Sequence, residues 1–526
     1  MIAGTSAWPW AIPGAYLVAA LHAAARPSDR WRALAAATRV ALALAGIGAI
    51  VALAGVRKAP ASTIPDAEAL VALLVAYLGW IIGDYAHRYL DGEPGQTRFV
   101  VAYLATLASV SAVVVTGDLA VLILAWSASS LSLHQLLTFY PDRPAAIIVA
   151  HKKFLASRLA EVCLAGAATL LYRQWRTLDL GALATLAGAT PALPTPAAIA
   201  AALIAIAVLL KCAQLPLHGW LIQVMEAPTP VSALLHAGVV NLGGYVLIRL
   251  APLISAAPTA RALLVGIGGL TAVLAGLVML TRITVKVRLA WSTCSQMGFM
   301  VMECGLGLYD LALLHLIAHA AYKAYSFLGA GGAVQDSLAR RMSADAAPAA
   351  TAPALAGAIL AWPIAWGVVA GSVRLWHAAV GLPPIPGIAT ALLASGLATL
   401  LWSRASATLR PFGIRLLALA GATQLYLLLH AVLSARIGIT ATAVPAPLAD
   451  AVVAGFLALY LAQAALVTRG RQALGRSALA ERVYSWAYAG FYLDERFTRW
   501  TFRLWPVRGD APATARERLL SNGSER

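Results

Sequence analysis

About fifteen apolar runs, each near twenty residues long, follow one another through this 526-residue chain and constrain its fold more than any other feature. A helix of about 20 residues crosses a hydrocarbon core of about 30 Å. Lipid offers peptide groups no hydrogen-bond partner, so a run buried there must satisfy its backbone internally, as a helix does. The spans fall near 8–25, 34–56, 66–86, 98–117, 119–140, 151–172, 196–224, 230–252, 261–281, 287–307, 309–334, 353–378, 386–403, 412–435 and 447–468. The expected fold class is an all-α polytopic membrane protein. Charged residues make up 12% of the chain, against about 25% in an average soluble domain. The formal net charge of +17 does not indicate a nucleic-acid partner, because the basic residues lie scattered between apolar spans. They read as loop charges that orient helices and meet anionic lipid. The four cysteines sit in apolar runs without a CxxC pair and read as small buried hydrophobes.

Alternate loops differ in charge. One set carries Arg26, Arg30, Arg32, Arg88, Arg98, Arg143, Lys152, Lys153, Arg282, Lys286, Arg288, Arg340, Arg341, Arg404, Arg410 and Arg415. The other holds little beyond Arg57, Lys58, Arg173, Arg176, Arg261 and Arg436, a ratio of sixteen to six. The positive-inside rule then puts the N-terminus outside and the C-terminus in the cytoplasm, which requires an odd number of spans. The N-terminus lacks a signal-peptide cleavage pattern, so its first apolar run is expected to be a retained helix. Asp179–Gly188 is too short to cross and is expected at the interface, and Leu382–Gly387 is a tight Pro-rich connection. Residues 478–505 mix aromatic side chains with both charge signs, which suits a helix on the membrane face or one docking a partner. The last twenty residues are polar and are expected to be loose.

The stretch Leu209–Arg249 breaks the pattern of plain spans. Lys211 closes a long apolar run, Pro216, Pro228 and Pro230 interrupt the segment after it, and the next apolar helix carries His236. A lysine at the bilayer centre costs about 2.5–3.5 kcal/mol on insertion scales, so its presence argues for function. Interrupted helices of this kind form ion sites in transporters. A second polar run, Leu313–Gly331, places His315, His319 and Lys323 at i, i+4 and i+8, one stripe on one helix face. Three titratable groups in register suit a proton relay, since histidine titrates near neutrality and water bridges short gaps. Arg158 and Glu161 form an i, i+3 pair; Glu226 lies in the broken region, within reach of Lys211 or a partner chain. Arg374 is a lone cation in the twelfth span, either an exit for the relay or a snorkelling side chain. Asn241, Glu303, His134 and His151 read as packing or interface residues. No phosphate loop, nucleophile–base pair or metal spacing is present, so the expectation is a transporter subunit without catalytic residues or a cofactor of its own.

Three pieces carry a resemblance: KCAQLPLHGWLIQVMEAPTPVSALLHAG, VKVRLAWSTCSQMGFM and HLIAHAAYKAYSFL. They closely resemble the antiporter-like membrane subunits shared by respiratory complex I and multisubunit cation/proton antiporters. Arg88–Ser109 matches less tightly, and the likeness covers roughly residues 85–335. The resemblance implies two inverted five-helix repeats, each with a broken helix and a central lysine. It divides the chain into N-terminal helices (1–97), a first repeat (98–252), a second (253–403), C-terminal helices (404–468) and a cytoplasmic amphipathic segment (469–526). The family's broken-helix lysine falls on Lys211 and its next-helix histidine on His236. Its histidine–histidine–lysine stripe falls on His315, His319 and Lys323, and its Arg–acid pair on Arg158 and Glu161. One departure stands out: the glutamate that partners the broken-helix lysine is replaced by Ser127, in LAWSASSLSLHQLL. A second is that nothing after residue 470 reads as the long lateral helix and final anchor of the complex I subunit.

Within that family, ALLHAGVVNLGGYVLIRLAPL, QMGFMVMECGLGLYDLALLHLIAHAAYKAYSFL and YAGFYLDERFTRWTFRLWP look most like the membrane subunit of DAB-type inorganic-carbon pumps. That likeness implies a bacterial inner-membrane chain that conducts protons or sodium. It also implies a large cytoplasmic partner with a zinc site like that of carbonic anhydrase. The alternative it leaves open is a proton-pumping subunit of an NADH-quinone oxidoreductase-like complex or a cation/proton antiporter.

Overall fold

The structure, a computed structural model, describes residues 8–54, 65–190, 192–332, 335, 338–339, 352–382, 385–401, 409–437, 446–474 and 478–505. Arg57, Lys58, Arg340, Arg341, Arg404, Arg476, part of the Leu382–Gly387 connection and the polar tail lie outside the described residues. The first half contains α1 (Ala11–Ala25), α2 (Arg30–Leu53), α3 (Pro65–Tyr89), α4 (Gln96–Val115), α5 (Leu119–Leu137), α6 (Pro144–Trp175), α7 (Leu180–Gly188), α8 (Thr195–Lys211), α9 (Gly219–Ile222), α10 (Thr229–Ala237), α11 (Leu242–Arg249) and α12 (Ala251–Ser255). The second contains α13 (Pro258–Thr281), α14 (Val285–Gly305), α15 (Tyr309–Leu328), α16 (Ala352–Val380), α17 (Gly387–Leu397), α18 (Leu409–Ile437), α19 (Ala446–Leu474), α20 (Ala478–Tyr488) and α21 (Leu493–Leu504). Among the described residues the one β-type pairing is an isolated bridge between Asp118 and Asp179, and eleven helical spans are long and apolar enough to cross a bilayer. The remaining expected spans hold α1, α8 and α17, which are shorter, and α14, whose Lys286, Arg288 and Glu303 make it more polar.

Helix starts follow local chemistry. Asp118 caps α5 by accepting the N–H groups of Ala120 (2.8 Å) and Val121 (3.0 Å), and Asp179 caps α7 through Ala182 (2.7 Å). Proline occupies the first turn of α6, α8, α10 and α13, where a missing N–H costs nothing. Apolar run length places the sixth span at 151–172, but Pro144 opens α6 seven residues earlier. Lys152 and Lys153, which read from sequence as loop charges, are therefore buried inside the helix. Removing them from the loop tally leaves the charge excess with the same sign.

The break after Lys211 is as the prolines require. Ala213 takes a left-handed φ of 53°, the Leu215–Pro216 bond is cis, and residues 212–228 hold only α9 and a 3-10 turn, Gln223–Glu226. A second break has no proline to announce it. Gly238 (φ −117°, ψ −79°) ends α10 two residues after His236, and a 3-10 turn, Val239–Asn241, leads into α11 at Leu242. A Cβ at Gly238 would lie 2.8 Å from the Leu234 carbonyl oxygen.

Buried apolar side chains form one continuous core from α1 to α15, and two smaller clusters join α16–α19 to it. The tightest helix crossing is α13 on α14, where a Cβ on Gly268 would stand 2.7 Å from the Gly298 carbonyl oxygen. Small residues let membrane helices approach this closely. Residues 478–505 do form helices, α20 and α21, joined at Phe491 and Tyr492 in left-handed conformation (φ 56° and 58°). This hairpin folds back onto the chain's own α6 and α13, with Phe497 buried in the main core.

Candidate functional site

Lys211 ends α8 inside the protein, its side chain 6% exposed. Its Nζ lies 3.3 Å from Glu161 Oε1 and 4.8 Å from the centre of the Trp126 ring. Glu161 Oε1 also accepts from Arg158 Nη2 at 2.8 Å. The expected Arg158–Glu161 pair is thus present, with Lys211 as its third member. The carboxylate beside Lys211 comes from α6, whereas the family resemblance leads one to expect it on α5, where Ser127 stands. Glu161 is the eighteenth residue of the 32-residue α6, at mid-helix, so the triad sits deep in the span. One more lysine, not singled out from sequence, lies on the same face. Lys153 is buried without a carboxylate on it and donates to the carbonyl (2.8 Å) and hydroxyl (3.0 Å) of Ser130.

The second cluster gathers around α15. His315 Nδ1 meets Glu303 Oε2 of α14 at 2.8 Å, its ring centre is 6.0 Å from that of His319, and His319 Nε2 lies 3.3 Å from the His236 carbonyl oxygen. Lys323, buried, donates to the Leu289 carbonyl at 3.1 Å and to Ser292 Oγ. His236 is fully buried and stacks on Phe327 (4.5 Å between centres, 16° between planes), and neither ring nitrogen has a protein partner among the described residues. Ser232 Oγ, one turn away, Asn241 Oδ1 and Gln214 Oε1 are likewise buried and unpartnered. No hydrogen bond among the described residues joins Lys211 to His236. The structure therefore brings the residues into two clusters, not one unbroken line.

The other candidates fall elsewhere. Glu226 pairs with Arg143 at 3.6 Å, both half-exposed, and not with Lys211. Arg374 is exposed on α16. Glu303, which reads from sequence as packing, is the ion partner of His315 and lines a cavity of about 480 Å³ with Ser295, Gln296, Tyr426 and Gln463. Asp310 and His430 form a further pair at 2.9 Å. Glu68 and Arg249 meet at 2.8 Å, and Arg249 also donates to the carbonyls of Val114 and Thr116, which ties α3, α4 and α11 together.

Residues 116–367 match the family model described as NADH:quinone oxidoreductase/Mrp antiporter, TM. The chain is 37% identical over 452 residues to the probable inorganic carbon transporter subunit DabB2 of Halothiobacillus neapolitanus, covering 84% of this chain and 80% of that one. This chain belongs to the antiporter-like family of membrane subunits. It is 51% identical over 276 residues to the probable inorganic carbon transporter subunit DabB of Hydrogenovibrio crunogenus, a match spanning 52% of this chain and about half, 53%, of that relative. NADH-ubiquinone oxidoreductase chain 5 of Metridium senile is 34% identical over 268 residues, 51% of this chain and 44% of that one. Among solved structures, the Mrp complex from Dietzia sp. DQ12-45-1b shares the fold at a TM-score of 0.55 and 24% identity, over 98% of this chain and 59% of that one. The membrane-bound sulfane sulfur reductase, an archaeal respiratory membrane complex, does so at 0.56 and 18%, over 94% and 99%. The antiporter-like family member is a multi-pass transport subunit, and its interrupted α8–α10 region lies wholly within the matched residues.

Proposed function

We propose that this chain is the cation-conducting, energy-coupling membrane subunit of an inorganic-carbon accumulation complex. Protons, or sodium in second place, would pass along two routes that meet at mid-membrane, one through Lys211, Glu161 and Arg158 and the other through His236, His319, Lys323 and His315. In this reading residues 98–252 and 253–403 are the two inverted repeats that hold them. The observation that carries it is the Lys211–Glu161 pair, a buried charge pair at a break in a spanning helix. A pair kept only for stability would be poorly chosen, because well-packed apolar residues usually serve as well or better.

The carbon substrate is taken from the names of the relatives with 51% and 37% identity. The chemistry itself is assigned to a large cytoplasmic partner bearing zinc in a carbonic-anhydrase-like site, made one-way by cation flow through this chain. The inner bacterial membrane, with the N-terminus outside and the C-terminus inside, fits the Lys and Arg excess. A second reading, a pumping subunit of an NADH-quinone oxidoreductase-like complex or cation/proton antiporter, rests on the 34% identity to chain 5. Bicarbonate uptake in cells carrying Lys211→Ala or Lys323→Ala tests the first reading. Uptake equal to that of the unchanged chain would remove it. Purification with a zinc protein separates it from the second, which requires co-purifying quinone-reducing or further antiporter-like chains.

A further inference from the structure

The strongest feature outside that path is where the C-terminal hairpin meets α6 and the broken segment. Lys152 has a fully buried side chain, and its Nζ donates to both oxygens of Asp494 on α21, each at 2.9 Å, and to Gln223 Oε1 at 3.0 Å. Gln223 Nε2 closes the ring on Asp494 Oδ2 at 2.8 Å. A Cβ at position 219 would overlap the Asp494 carboxylate, so Gly219 is what lets α21 settle against α9. Trp505 stacks on His151 (3.8 Å, 10°), and Arg282 donates to the Tyr488 carbonyl at 2.8 Å, which holds the hairpin at two further points.

Beside this ring lies a cavity of about 550 Å³. Its wall carries Glu226, Asp494 and Glu495 with Arg282 and His218; Glu226 is paired with Arg143 at 3.6 Å and Asp494 with Lys152 at 2.9 Å. His218 is buried and its Nε2 has no protein partner among the described residues. Glu495 is the wall carboxylate without an ion pair among the described residues, and it shares the wall with the His218 ring. The way inward is drawn on α6. Lys153, Ser157 and Glu161 stand at i, i+4 and i+8, one face of the helix, about 12 Å from first to last at 1.5 Å per residue. Lys152 and Lys153 are neighbours, and Glu161 is the residue that holds Lys211.

We propose that the C-terminal hairpin completes the intake of the cation path: Asp494 is the carboxylate that joins the chamber to α6, and the Lys152–Lys153–Ser157–Glu161 line of α6 leads from the chamber to Lys211. This rests on the conduction reading above. The competing role for Lys152 and Asp494 is that of a fastener for the hairpin, and apolar substitution separates the two. A buried ion pair that only fastens is replaceable by packed apolar residues.

Four forms of the full chain, produced with its natural partner proteins, are compared for uncoupler-sensitive bicarbonate uptake and for chain level in the membrane. They are the unchanged protein, Lys211→Ala, Asp494→Asn and the double Lys152→Met/Asp494→Leu. Asp494→Asn, which keeps the shape but removes the charge and one of the two oxygens that accept from Lys152, is expected to lower uptake at least tenfold when normalised to chain level. The double variant is expected to be as low, with the chain still present. Uptake by the double variant within twofold of the unchanged protein overturns the proposal, as does disappearance of the double variant from the membrane. Full uptake by Lys211→Ala would instead strike at the conduction reading, which keeps the two failures apart.

Discussion

Replacing Glu161 with glutamine isolates the feature on which conduction depends most. The change is nearly isosteric and removes one negative charge from a group serving Lys211 at 3.3 Å and Arg158 at 2.8 Å. At 3.3 Å and an effective dielectric of about 20, the Lys211–Glu161 attraction alone is about 5 kcal/mol. Breaking a buried pair by removing one partner costs about 3–5 kcal/mol, because the other charge stays buried and uncompensated. Arg158 is 34% exposed, so the loss falls mainly on Lys211, at 6%. If that cost enters the step in which Lys211 carries the cation, transport slows by about 100-fold or more, at roughly 1.4 kcal/mol per power of ten. The assay is cation-driven uptake normalised to chain level, measured also in Glu161→Gln/Ser127→Glu. The double variant restores a carboxylate on α5 beside Trp126, whose ring already faces Lys211, and is expected to regain most of the loss. Uptake by Glu161→Gln within threefold of the unchanged chain would refute the reasoning. So would a double variant no better than the single one, since that would mean the position, and not the charge, was what mattered.

The geometry sets three further outcomes. Lys323→Met removes the donor to Leu289 and Ser292 but keeps the packing volume, so transport is expected to fall at least tenfold with little change in melting temperature; a parallel loss of both would assign Lys323 to stability. Gly298→Val drives a side chain into the α13 backbone at Gly268 and should cost about 1–3 kcal/mol or more, read as a lower melting temperature in detergent and a lower chain level. Glu226→Gln touches only a half-exposed pair with Arg143, worth at most about 1 kcal/mol, so its effect on stability should be close to undetectable by thermal melting.

Much of the architecture is legible in the sequence because lipid leaves so few solutions. Apolar run length places the helices, and Pro216, Pro228 and Pro230 mark the interruption after Lys211. The break at Gly238 is hidden, because glycine is common in membrane helices and HAGVVNLGGY reads as an ordinary span. The start of α6 is obscured for a related reason: two adjacent lysines look like a loop until a carboxylate 342 residues away is seen to neutralise one of them. Glu161 as the partner of Lys211 needs a contact across 50 residues, which no local pattern encodes. One local signal does exist for the α6 face. The i, i+4, i+8 spacing that draws attention to His315, His319 and Lys323 is repeated by Lys153, Ser157 and Glu161, and a uniform scan for it finds both stripes.

The arrangement of the two clusters also bears on how coupling must work. A single unbroken chain of hydrogen bonds from Lys211 to Lys323 would let cations leak whenever a gradient existed, with nothing for a partner to control. Here the clusters are separate, and what lies between them is the second break. His236 sits two residues before Gly238 with its face covered by Phe327 and its nitrogens free of protein partners among the described residues, while Asn241 Oδ1 waits unpaired on the far side of the break. Under the proposed conduction Lys211 and Lys323 would be two stations with different surroundings, Glu161 in one case and neutral oxygens of Leu289 and Ser292 in the other. Under that same proposal, a shift in the α10–α11 segment would be a lever for a partner protein that needs no chemistry in this chain.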